Sequence, residues 1–136
     1  MNFWLVKSEP TVFSWDQLVK DKKAVWDGVR NYGARNNLRQ MKKNDLVFFY
    51  HSNIGMEIVG IAKVAKEAYP DPGSPTDWSA VDLQPYKKLK QAVPLSTIKK
   101  YPDLQNIGLI RQSRLSVMPI SELEWHRVLE LAQTAL

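Results

Sequence analysis

The chain has no cysteine and only two histidines among its 136 residues. Without thiols there is no disulfide framework, no thiolate nucleophile and no cysteine-based zinc site. His51 and His126 lie far apart and lack spaced carboxylate partners, so no metal centre is expected. Long apolar runs are also missing. The opening stretch Met1 to Lys7 is too short for a signal or membrane segment, and no later run approaches spanning length. The expectation is a soluble, cytoplasmic protein without a membrane partner. There is no phosphate-cradling glycine loop, no dinucleotide fingerprint and no recognisable carboxylate pair. Neighbouring side chains of an extended segment point to opposite faces, so neither Lys7-Ser8 nor His51-Ser52 can act directly as a nucleophile and its base. A structural hydrogen bond is the expected fate of His51, and no cofactor is implied.

What is present suffices for one domain, residues 1–136, with a core that needs no staples. The net charge of +5 and pI near 9.5 attract phosphates by long-range field but are equally common in proteins that bind nothing acidic.

Phe3 to Val6 reads as a buried strand that ends in the polar run Lys7-Ser8-Glu9-Pro10. Ser14 and Gln17 have capping-box spacing and Phe13 and Leu18 staple spacing, predicting a helix from Trp15 to about Lys22. Leu46 to Ser52 is a short run of β-branched and aromatic residues, hence a buried strand. Asn53 to Met56 then makes a hairpin loop that returns through Glu57 to Ala65. Tyr69 to Asp77 holds three prolines and a glycine and is expected to cross the surface as a loop. Trp78 to Leu83 resumes a strand, and Lys87, Lys88 and Lys90 follow on an exposed edge. One short helix is expected within Pro94 to Lys100, and a last strand over Leu115 to Pro119. Ser121 and Glu124 repeat the capping box, with Ile120 and Trp125 as staple, and open a helix whose Trp125, Val128, Leu129 and Ala132 share one face. Strands and helices interspersed in this way indicate an α+β fold with a mixed, barrel-like sheet.

The stretch Trp26 to Asn37 concentrates an indole, two glycines, arginines and carboxamides. Asn31 suits a helix N-cap, and Ala34, Leu38 and Met41 then recur at helical spacing. Arg35, Arg39 and Lys42 fall together on an adjoining line of the same helix. One edge would be buried and the other cationic, so bases and phosphates would both find partners. A core indole beside a merely solvated basic face fits these residues equally. In the central strand, period-2 alternation puts Leu46, Phe48, Tyr50 and Ser52 on one face and Val47, Phe49 and His51 on the other. If the first face opens into a pocket, Ser52 at its mouth could bond a base edge while an indole stacks on the ring. An ordinary serine at a strand end fits the spacing as well.

Five strings carry a resemblance: Trp4-Leu5-Val6-Lys7-Ser8-Glu9-Pro10, Trp26-Asp27-Gly28-Val29-Arg30-Asn31-Tyr32, Phe49-Tyr50-His51-Ser52-Asn53, Lys66-Glu67-Ala68-Tyr69-Pro70-Asp71 and Arg114-Leu115-Ser116-Val117. Together they make nearly the whole chain resemble the EVE domain family. The resemblance implies a PUA-like fold, a small twisted pseudo-barrel flanked by short helices, similar to the YTH and ASCH domains. It implies a reader of modified bases, with modified cytosine in DNA the leading ligand and modified RNA its rival. Carried over by position, the base pocket would comprise Lys7, Ser8, Glu9, Trp26, Asn31 and Ser52, with Trp78 as a further wall. Arg30, Arg35, Arg39, Lys87 and Lys88 would hold phosphates. The loop from Pro72 to Asp77 is shorter than the family pattern leads one to expect.

The leading expectation is a non-catalytic, monomeric module that binds nucleic acid carrying a modified base. An enzyme acting on a nucleotide or small molecule is the alternative, motivated by Lys7, Glu9 and Ser52 near one cavity. A scaffold that binds only a metabolite or buffer ions is the third reading.

Overall fold

The computed structural model describes residues 1–136. Its strands are β1 (Phe3–Ser8), β2 (Ala24–Trp26), β3 (Leu46–His51), β4 (Glu57–Pro70), β5 (Ser79–Pro94) and β6 (Val117–Ile120). They form one sheet in the order β2-β5-β4-β3-β1-β6, and the helices are α1 (Trp15–Asp21), α2 (Tyr32–Gln40), α3 (Leu95–Ile98), α4 (Gly108–Arg111) and α5 (Glu122–Leu131). A 3-10 turn at Pro102–Leu104 joins α3 to α4. The sheet is mixed because β1 runs parallel to β3, Leu5 beside Phe48, while every other pair is antiparallel.

Local chemistry accounts for the helix ends. The Ser14 hydroxyl accepts from the Gln17 amide at 3.1 Å, the Asn31 carboxamide from the Ala34 amide at 3.0 Å, and the Ser121 hydroxyl from the Glu124 amide at 3.1 Å. Glu124 answers from its carboxylate to the Ser121 amide at 3.0 Å, completing a capping box.

β3 is buried on both faces, so the alternation of its side chains builds two cores. On one side Leu5, Phe48 and Tyr50 pack with Ile98, Leu104, Trp125 and Val128. The expected face of α5 docks here, with Trp125, Val128, Leu129 and Ala132 all buried. On the other side Trp4, Val6, Val47 and Phe49 pack with Trp15, Leu18, Ala34, Leu38 and Met41 of α1, α2 and its C-cap. Gly60 is required there: a Cβ would sit 2.6 Å from the Trp15 ring.

The sheet is bent by four register shifts between β4 and β5 and one between β3 and β4. Helix α2 spans from the edge strand β6 to β5, the strand next to the opposite edge, with the Asn37 carboxamide donating to the Val117 carbonyl at 2.7 Å and Arg39 Nε to the Ser79 hydroxyl at 2.8 Å. This helix plug makes the sheet a pseudo-barrel without direct pairing of its outer strands.

Several expectations are corrected. β4 continues to Pro70 instead of ending near Ala65, and the proline-bearing turn begins only at Asp71. β5 starts at Ser79 and runs through the lysine cluster to Pro94, its bulges letting a long strand follow a bent sheet. Trp26 belongs to a three-residue strand, β2, paired with β5 rather than to a loop. The face ending in Ser52 does not open into a pocket; Phe48 and Tyr50 on it are buried in the core that includes Trp125 of α5, and Phe49 lies on the side that does.

Candidate nucleic-acid interface

A cavity of about 540 Å³ opens beside Trp26, between the end of β1, the turn before α1 and the segment from β2 into α2. Its apolar part is Val12, Phe13, Ala24, Val25, Trp26 and Val29. The indole is half-buried, and its two neighbours meet it nearly at right angles, Phe13 at 6.0 Å and Phe49 at 5.7 Å between centroids. No other aromatic ring lies flat against it. Its polar lining is Lys7, Ser8, Glu9, Asp27, Arg30, Asn31 and Ser116. The cavity therefore pairs an aromatic surface with donors and acceptors of both charges, as ligand sites generally do.

Each wall is tied in place. The Glu9 carbonyl accepts from the Val12 and Phe13 amides, both at 2.9 Å, and this turn carries Val12 and Phe13 to the rim. Ser8 Oγ donates to the Phe13 carbonyl at 2.5 Å, leaving its lone pairs for a ligand. Lys7 Nζ donates to the Ser113 carbonyl at 2.7 Å, and burial lowers its pKa from 10.5. The Glu9 carboxylate accepts from Asn53 Nδ2 at 2.7 Å.

The opposite wall hangs on Asp71. Its buried carboxylate accepts from the Gly28 amide at 3.0 Å, the Gly73 amide at 2.7 Å and an Arg30 guanidinium nitrogen at 2.8 Å. The Arg30 bond is foremost in holding the carboxyl below its ordinary value of 3.8, against the opposing effect of burial. Gly28, at φ 73°, takes the left-handed turn that aims its amide at this carboxylate.

Of the residues expected in the pocket, Lys7, Ser8, Glu9, Trp26 and Asn31 are brought together. Ser52 is not in the lining; its amide donates to the Ser8 carbonyl at 2.9 Å, so its backbone supports the wall from behind. Trp78 also lies outside, stacked on Tyr32 at 5.1 Å with Arg30 over its ring at 5.5 Å. Among the cations expected to meet phosphates, only Arg30 reaches the cavity. Arg35 and Arg39 are instead paired with Asp77, at 3.3 and 2.5 Å, because the turn before β5 folds back over α2. Lys87 bonds the Ala135 carbonyl, and Lys88 faces a separate hollow with Trp15, Asp16, His51 and Glu57.

Val12, Phe13 and Ser116 also line the cavity and Asp71 anchors its wall, none of them among the residues expected at the site. Phe13 was read only as a helix staple, which it also is, while Ser116 and Asp71 sit inside strings that carried the resemblance. Val12 had a signal of its own, an apolar residue in a polar turn, and it is 78% exposed. His51 accepts from the Trp15 amide at 3.1 Å through Nε2, the structural bond expected of it. Burial lowers its pKa from 6.5, opposed by Glu57 and Asp16. No group of three or more His, Cys, Asp or Glu side chains is placed to hold a metal ion.

Comparison with known proteins agrees with this architecture. Thymocyte nuclear protein 1 of Mus musculus is 40% identical in an alignment covering 98% of this chain and 74% of the mouse protein. That alignment extends over 168 positions, more than the chain's own 136 residues, so the mouse protein carries insertions. The structure of human THYN1 in complex with 5-methylcytosine containing DNA superposes with a TM-score of 0.90 at 37% identity, covering all of both chains. A YTH domain from Zygosaccharomyces rouxii, crystallised with N6-methyladenosine RNA, shares the fold alone, with a TM-score of 0.62 at 15% identity over 99% of this chain and 88% of the other. The fold is thus PUA-like. The EVE domain model matches residues 2–131, and the chain belongs to the EVE domain family.

Proposed function

We propose that this chain is a non-catalytic nucleic-acid-binding module that draws one modified base, a modified cytosine in DNA foremost, into the cavity beside Trp26. The observation that carries the reading is the half-buried indole on an open cavity of about 540 Å³ whose rim offers donors and acceptors together. Trp26 supplies the apolar face, with Phe13 beside it, and Lys7, Ser8, Glu9 and Asn31 meet polar edges. Arg30 at the rim takes the phosphate. The human relative bound to 5-methylcytosine containing DNA supports DNA as the nucleic acid. A base must leave its stack to enter, at a cost of a few kcal/mol. Stacking on an aromatic side chain returns roughly 1–3 kcal/mol per base.

A binding role is favoured over catalysis by how the candidate nucleophile is held. Ser8 Oγ donates its proton to the Phe13 carbonyl, and His51, the one histidine nearby in sequence to the aromatic strand end, is engaged with the Trp15 amide outside the cavity. The hydrogen bond of Ser8 Oγ thus runs to a carbonyl oxygen and not to a general base.

The test is capture of total cellular nucleic acid on the purified protein, followed by nucleoside mass spectrometry. Enrichment of one modified nucleoside, chemically unchanged by incubation, is the expected result. Enrichment of a modified ribonucleoside would redirect the reading to RNA. A captured pool with the composition of the input, or a new nucleoside species produced by the protein, would refute it.

A further inference from the structure

Outside the cavity, the molecule carries a second aromatic surface. Tyr32 and Trp78 lie nearly parallel, 20° apart with centroids at 5.1 Å, and Tyr32 stays 67% exposed, so at least one face of its ring is open. Two guanidinium groups attend the pair: Arg30 over Trp78 at 5.5 Å, and Arg35 5.0 Å from the Tyr32 centroid and 5.8 Å from that of Trp78. Neither the fold nor the cavity requires Tyr32 here. It is the first residue of α2, contributes to neither core, and could be any good helix former.

Its position relative to the cavity gives it a use. Asn31, the N-cap of α2, lines the cavity, and Tyr32 is the next residue. Consecutive Cα atoms are about 3.8 Å apart, so the platform starts one residue from the cavity lining. Arg30 joins the two surfaces, lining the cavity while its guanidinium covers Trp78. We infer that the Tyr32–Trp78 stack is a platform for a base adjoining the one held in the cavity, so that the ligand is a strand and not a free nucleoside. This rests on the cavity being the site of the modified base. A base has two flat faces and suits the open face of Tyr32, while its linking phosphate would pass Arg30. An exposed aromatic pair among arginines also fits a protein partner, but only a strand accounts for its continuity with the cavity through Arg30 and Asn31.

The test uses single-stranded pentanucleotides with 5-methylcytosine at the centre, in one version with ordinary flanking bases and in another with abasic flanking sugars. Both retain every phosphate. Wild type should bind the intact strand tighter by roughly 5- to 140-fold, the range that one stacked base supplies. Tyr32→Ala should erase that difference, Tyr32→Phe should restore it, and the melting temperatures of both should stay near wild type. Equal binding of the two strands by wild type would overturn the platform, as would a flanking-base advantage that survives Tyr32→Ala. Trp26→Ala separates this failure from that of the cavity. If the platform alone is wrong, Trp26→Ala still abolishes preference for 5-methylcytosine over cytosine. If the cavity reading is wrong, wild type shows no such preference or Trp26→Ala leaves it intact, and the inference falls with it.

Discussion

The two sides of the sheet are built from alternate residues of the same strand and come to opposite ends. Phe48 points into a core closed by the 3-10 turn and helices α3 to α5, where Trp125 stacks on it at 3.9 Å and on Phe3 at 4.5 Å. Phe49 points the other way and meets Trp26, whose remaining surface faces an open cavity. Both sides hold a tryptophan against a phenylalanine of β3. The difference is that Trp125 rides on a ten-residue helix that covers it, whereas Trp26 ends a three-residue strand and is followed by a turn tethered to Asp71. An open cavity arises here where the second layer stops short of the aromatic core.

The largest expected effect lies on the closed side. Trp125 is 1% exposed, and Trp125→Ala should cost roughly 3–5 kcal/mol of stability by cavity formation. Chemical denaturation should show that loss, and the molecules that remain folded should retain base preference. A Trp125→Ala protein as stable as wild type would break the contrast between the two sides.

Gly60→Ala comes next. The new methyl would stand 2.6 Å from the Trp15 ring, which is itself buried, so the upper part of roughly 1–3 kcal/mol is expected from overpacking. Thermal melting measures it, and an unchanged midpoint would show that α1 moves freely over the sheet.

Asp71→Asn addresses the open side. Replacing the carboxylate weakens the tether from Arg30 and the Gly28 and Gly73 amides, and roughly 1–2 kcal/mol should be lost. Because the folded pKa of Asp71 is depressed, its contribution is complete above the ordinary value of 3.8 and disappears as the pH falls through the lower folded value. Stability measured against pH should therefore decline less for Asp71→Asn than for wild type on acidification below 3.8. Parallel curves would remove Asp71 as the anchor of the wall.

The smallest effect concerns the arginines of α2. Asp77, 80% exposed at its side chain, pairs with both Arg35 and Arg39, and exposed pairs contribute only about 0–1 kcal/mol to stability. Asp77→Asn should leave melting nearly unchanged yet release cationic charge. Nucleic-acid titrations should then show tighter binding at low salt and a salt slope steeper by up to about one per added phosphate contact. An unaltered slope would mean these arginines never reach phosphate.

Much of this fold was legible because its signals are local. Ser14, Asn31 and Ser121 announce their helices by side chains that bond amides three residues on, and the apolar face of α5 repeats with the helical period. The strand ends were less legible: bulges carry β4 to Pro70 and β5 to Pro94, and nothing in Ala65 or Leu83 marks a pairing made with a distant segment. In the cavity, Trp26, Asn31 and the Lys7-Ser8-Glu9 run were found from the quoted strings. That Ser52 and Trp78 lie outside the cavity lining is not legible, because alternation along β3 does not say which face a later helix will cover, and because Trp78 stacks on Tyr32 across the α2 surface. Arg35 and Arg39 looked free along α2; their neutralisation comes from Asp77, some forty residues away in the chain.

If the open side reads the base through Trp26, as proposed, titration of Trp26→Ala against matched DNA strands bearing 5-methylcytosine or cytosine will show it. Melting curves must accompany the titration, since loss of a packed indole can also unfold a domain. If the account is right, Trp26→Ala remains folded, loses its preference for the modified strand, and keeps the salt-sensitive binding common to both strands. A folded Trp26→Ala that still discriminates between them would contradict it.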